Sequence, residues 1–142
     1  MIEHVFSVLC SGTSIDAETN TVTLFKVLEQ LTVFTESTET VRIPIHFEIL
    51  SLWTRQIADD PCHGKARIIF CSPSHDEKQH VEMSIDLSRS INYRSKLIAD
   101  VIELTGPGKY RFRIELQEEE SPDWQEVASL PLLVVYRTST PG

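Results

Sequence analysis

The sequence predicts an all-β chain folded as a two-sheet antiparallel β-sandwich of about eight strands, immunoglobulin- or fibronectin-like in general architecture. Three observations predict it. Apolar and polar residues alternate with period 2 along most of the chain, which sets one face of each segment on a core and the other in water. Clusters of Gly, Pro, Asn, Asp and Ser interrupt the alternation at intervals too short for helical crossovers. With 142 residues, 41% of them hydrophobic, the chain has the length of one ordinary domain and can bury a core without disulfide or metal staples.

The expected strands cover residues 3–10, 21–34, 41–54, 65–72, 80–87, 93–104, 109–117 and 124–136. Residues 1–137 then form a single domain, and 138–142, Thr-Ser-Thr-Pro-Gly, a frayed tail. The first segment follows an acidic opening, and its apolar stretch is too short for a signal peptide. The second is ambiguous, because Leu24, Val27, Leu28 and Leu31 have helix-like spacing; a strand, bent or bulged, is the preferred reading. In the third, Ile43, Ile45, Phe47, Ile49 and Trp53 share a face, which makes Trp53 a core aromatic. The fourth carries Cys71, read as a small buried hydrophobe. In the fifth, Val81, Met83, Ile85 and Leu87 alternate with His80, Glu82, Ser84 and Asp86.

Leu97, Ile98, Val101 and Ile102 in the sixth could lie on a helical face, but the β-branched content favours strand. The seventh is the clearest: Tyr110, Phe112, Ile114 and Leu116 face the core, and Arg111, Arg113 and Glu115 form a solvated stripe. The eighth opens at Trp124 after an acidic turn. Pro44 and Pro131 lie inside strand segments and predict edge positions or bulges, since proline cannot donate to an interior ladder.

A formal net charge of −8 disfavours nucleic acid and anionic lipid as ligands, and suits a basic protein partner or a divalent cation. No apolar run approaches the roughly 18 to 20 residues of a membrane span. Three cysteines without a close pair fit reduced thiols, so the chain is read as cytoplasmic.

Three stretches carry a resemblance: Phe6-Ser7-Val8-Leu9-Cys10; Ile43-Pro44-Ile45-His46-Phe47 with Ser51-Leu52-Trp53; and Gly106-Pro107-Gly108-Lys109-Tyr110-Arg111-Phe112 with Trp124 and Val127-Ala128-Ser129-Leu130-Pro131-Leu132. Together they resemble a family of short, functionally uncharacterised bacterial β-rich domains. The resemblance implies a β-rich fold and supplies no activity or catalytic residues.

If successive strands run antiparallel, alternate loops gather at one end of the sandwich. That end would collect Asp16 and Glu18, Asp59 and Asp60, and Glu118, Glu119, Glu120 and Asp123. Calcium takes six to eight oxygens, so Asp16, Asp59, Asp60, Glu118 and Asp123 are candidate ligands, although no loop motif supports them and solvated loops are the plainer account. Trp124, Asp59, Asp60 and Glu119 are candidate contacts for a basic partner, an aromatic beside carboxylates being suited to a cationic peptide. Cys62, His63, Cys71, His75 and His80 offer zinc ligands within 19 residues but lack a Cys-x-x-Cys hook. No cofactor is expected. There is no Gly-x-Ser-x-Gly elbow, glycine-rich phosphate loop or His-Glu-x-x-His pair, and dispersed carboxylates nominate no glycosidase pair. The expected function is therefore a non-enzymatic protein-binding or scaffold domain, with metal binding as the alternative, hydrolase chemistry as a weaker one, and a homodimer through a sheet face or edge compatible with the pattern.

Overall fold

The computed structural model describes residues 1–36 and 39–138; the expected frayed tail falls, from 139 on, outside the described residues. The chain is all-β, with nine strands among the described residues: β1 (Ile2–Ile15), β2 (Val22–Val27), β3 (Gln30–Phe34), β4 (Val41–Arg55), β5 (Cys62–Cys71), β6 (Glu77–Leu87), β7 (Asn92–Leu104), β8 (Gly108–Glu118) and β9 (Gln125–Arg137). They form two sheets, ordered β2-β1-β4-β7 and β3-β9-β8-β5-β6. Residues 95–104 are strand, as preferred, and residues 24–31 are strand except at Leu28 and Glu29, where β2 gives way to β3.

The departure from eight strands lies at residues 21–34. Lys26 takes a left-handed backbone (φ 51°), and the chain leaves the first sheet at Leu28, whose N–H donates to the Leu9 carbonyl. It enters the second sheet at Glu29, whose carbonyl accepts from the Leu133 N–H. Leu28 and Leu31 both pack on the core, so the three-residue spacing marks a strand turning over between sheets. β3 then runs parallel to β9, Gln30 opposite Leu133 and Phe34 opposite Arg137. This corrects the all-antiparallel expectation: an extra chain reversal is hidden inside one apolar stretch.

The inner faces meet as the periodicity predicts. Ile49, Trp53, Ile85, Leu87, Leu104, Tyr110 and Ile114 are fully or almost fully buried, each such side chain stabilising the fold by roughly 1.5–3 kcal/mol. Phe47 reaches across to Phe112, ring centres 5.7 Å apart, and Phe70 stacks between Phe112 and Tyr110. A polar row crosses the inner face of the first sheet, Ser7 opposite Ser51 opposite Ser95. It is satisfied internally, since Ser7 and Ser51 hydroxyls bond at 2.6 Å, His4 reaches Ser7 at 2.7 Å, and the Trp53 indole donates to Ser95 at 2.9 Å.

Both prolines sit where a donor is dispensable. Pro44 borders a bulge, Ile45 and His46 together facing Asp100, and it lies beyond the stretch of β4 paired with β1. Pro131 pairs with Arg111 before β3 joins β9 at Leu133. The outer faces also bury residues. The β1–β2 hairpin bends across the first sheet, with Thr13 on Glu48 and Asn20 on Arg94, which covers Cys10 and Leu50.

Candidate functional site

The two sheets are closed along one flank and open along the other. At the β2 and β3 edges the crossover through Leu28 fills the gap with its own side chains. At the opposite flank the edge strands β6 and β7 stand apart, and an apolar cleft of about 250 Å³ runs inward between them. Its floor is aromatic and aliphatic, made by Phe47, Ile68, Phe70 and Phe112, and its β7 wall is Leu97 and Ala99. Ala99 lies opposite Phe47, and its short side chain leaves the space unfilled. The rim keeps large apolar groups in water, with Val81 42%, Ile98 56% and Val101 41% exposed, beside the Glu103 carboxylate. Clefts at the junction of two layers, mostly apolar with a few polar rim groups, are where ligands commonly bind.

Period-2 reasoning missed this site, yet β7 held the signal. Leu97 and Ile98 are adjacent, as are Val101 and Ile102, so the strand carries apolar residues on both faces; only Ile102 of these is fully buried.

A second constellation lies on the outer face of the first sheet. Glu48, only 7% exposed, accepts from Thr13 at 2.9 Å and pairs with Lys96 at 3.3 Å. His46 bridges the other Glu48 oxygen at 2.9 Å and Asp100 at 2.7 Å. Hydrogen bonds to Asp100 and then Glu48 raise the His46 pKa above its ordinary value, and the bond from His46 holds Glu48 below its own. Because Thr13 belongs to the hairpin, this network fastens hairpin to sheet. Cys10 beneath it is fully buried, and burial pushes its thiol pKa up, the opposite of a nucleophile's requirement.

Of the residues singled out in the sequence, Asp60, Glu118 and Glu119 line one hollow with Cys62 and His63, and the others are kept apart from it. Asp16 lies at the tip of the hairpin, where its carboxylate accepts the Glu18 and Thr19 amides. The hidden reversal before β3 detaches its loop from the alternation that was to bring it to Asp59 and Asp60. Asp60 instead meets the amino group of Met1 at 3.3 Å, and Glu118 accepts the Ile2 N–H at 2.6 Å. Glu119 and Asp123 are exposed on the β8–β9 loop, as Asp59 is on the β4–β5 loop.

The zinc candidates are spread along one hairpin. Cys62 and Cys71 begin and end β5, roughly 30 Å apart along an extended strand. His63 lies 3.5 Å from Asp86, His75 occupies the β5–β6 turn with φ 67°, and His80 faces Ile69 across the ladder. Among the described residues, no group of three or more His, Cys, Asp or Glu is arranged to hold a metal ion.

Trp124 is half-buried, with the Arg67 guanidinium 4.3 Å above its ring, so a cation of the chain itself occupies the face expected to receive a peptide's. The charged stripe on β8 is likewise paired: Arg67 and Arg113 hold Glu115, at 2.6 and 3.2 Å, and Arg111 reaches Glu126. Glu115 is 9% exposed and Ile69 beside it is buried, so this face is a compact ion-pair layer instead of a loose solvated stripe. No family model matches the chain, and no curated protein matches it. Among the described residues, no helix is long and apolar enough to cross a membrane.

Proposed function

We propose that the chain is a non-enzymatic protein-binding domain of immunoglobulin- or fibronectin-like plan, and that it binds at the open seam between β6 and β7. The observation that carries this reading is the cleft itself, an aromatic-floored space between two edge strands whose rim leaves Val81, Ile98 and Val101 in water.

Topology supports the architectural part. β1, β4 and β7 take the places of strands A, B and E, and β5, β8 and β9 those of C, F and G, with β6 adding beside C. The Tyr110 hydroxyl, near the start of β8, donates to the Gly106 carbonyl at 2.7 Å, the pattern of a tyrosine corner. The stretches that resemble the bacterial β-rich family fall on β1, β4, β8 and β9, which lie inside the two sheets, and membership of that family is proposed on them. A cytoplasmic setting is proposed on the unpaired thiols.

Methyl NMR with N-acetyl-leucine amide as an apolar probe tests the seam. The probe is expected to shift the Val81, Ile98 and Val101 methyls and to lose that effect in Ala99→Phe, which fills the cleft. Shifts centred on residues 118–124 would move the surface to the acidic loops, and shifts that survive Ala99→Phe would remove the cleft from it.

A further inference from the structure

Resting on the seam reading, we propose that its occupant is an extended peptide that adds as a further strand to the free edge of β7, inserts a bulky apolar side chain into the cleft at every second residue, and carries Lys or Arg at its flanks.

The cleft has the dimensions of side chains. A dry cavity of about 150 Å³ accepts benzene, so about 250 Å³ holds one or two groups of leucine or phenylalanine size. The surroundings favour a peptide over a free hydrocarbon. β7 is the edge of its sheet and is paired only with β4, so one side of its 13-residue backbone offers unpaired N–H and C=O groups beside the opening. A hydrocarbon would leave those groups unused; an added strand bonds to them and uses the cleft at once. The spacing agrees. Leu97 and Ala99 line the cleft two residues apart, and an added strand sends its own inward side chains at the same period of about 6.7 Å.

Charge selects the partner. Glu103 stands along this edge, as does Asp100, whose side chain is 83% exposed and bonds His46 through one oxygen at 2.7 Å. Of the neighbouring cations, Lys96 is paired with Glu48, Arg94 is held by the neutral Asn20, and Arg42 lies opposite Glu103 on β4. Two copies of a chain of net charge −8 repel one another, whereas a strand with basic flanks is attracted to it. The acidity that keeps two copies apart thus leaves the edge open to a strand of opposite charge.

The test is fluorescence anisotropy of the full chain with a labelled synthetic peptide alternating leucine and threonine between two lysines at each end. Binding is expected, weakened about tenfold or more by N-methylation of alternate backbone amides on the edge-facing side, and similarly by glutamate in place of the lysines. It should also be lost in Ala99→Phe and in Val81→Lys; the latter position is already 42% exposed, so the variant folds. Equal binding of the N-methylated peptide, or equal binding of a neutral detergent chain, overturns strand addition while the seam remains the site. Binding unchanged by both variants overturns the seam reading itself. Absence of peptide binding overturns the proposal, and a dimer in sedimentation that Ala99→Phe dissolves would make a second copy the occupant.

Discussion

The Tyr110 hydroxyl carries two backbone bonds at a buried corner, donating to Gly106 and accepting the Thr105 N–H at 2.8 Å. Tyr110→Phe keeps the ring against Phe70 but leaves both backbone groups unpaired, so urea unfolding should show a loss of about 1–3 kcal/mol. His46 makes a pH-dependent contribution. Its folded pKa is raised above 6.5, so its stabilisation is full below that value and is lost as pH rises through the folded pKa. That of Glu48, lowered from 4.5, is full above 4.5 and is lost as pH falls through its folded pKa. Both act together between 4.5 and 6.5. Thermal melts from about pH 6 to about pH 8 should therefore show the wild type losing an advantage that His46→Gln lacks throughout. At this scale the apolar residues were legible: Trp53, Tyr110 and Ile114 are where alternation puts them. The polar ones were not, because a serine that bonds another serine across a sheet and one that bonds water look alike in sequence.

Strands were legible wherever one face alone is apolar, as in β8 and the second half of β6. Reading failed where the chain uses both faces or changes sheets. Residues 24–31 serve two sheets within eight positions, so their apolar residues follow neither period. Glycines show how tightly neighbouring elements are set. A Cβ at Gly64 on β5 would lie 2.7 Å from Ile2 Cδ1 and 2.8 Å from the Gln117 carbonyl oxygen, and backbone cannot yield as a side-chain tip does. At Gly12 the nearest atom is Glu48 Oε2 at 3.7 Å, an ordinary contact. Gly64→Ala should thus lower stability by about 1–3 kcal/mol while Gly12→Ala stays within about 0.5 kcal/mol, a comparison that denaturant midpoints settle.

At the scale of the molecule, the fold class and the meeting of the β4–β5 and β8–β9 loops could be derived from periodicity, but the place of the Asp16 loop could not, since it depends on counting reversals. One unseen reversal detached Asp16 from the acids of the β4–β5 and β8–β9 loops. The candidate site was hidden for a related reason: an open flank is a property of two strands distant in sequence, and only the doubly apolar face of β7 hinted at it. The parallel pairing of β3 with β9 has its own consequence. Residues 30–34 find their partner about a hundred positions later, at 133–137. On the ribosome this second sheet can gain its fifth strand only after β9 has been synthesised, so the early strands must wait with unsatisfied edges, and β9 serves as the latch whose arrival commits the nascent chain to its fold.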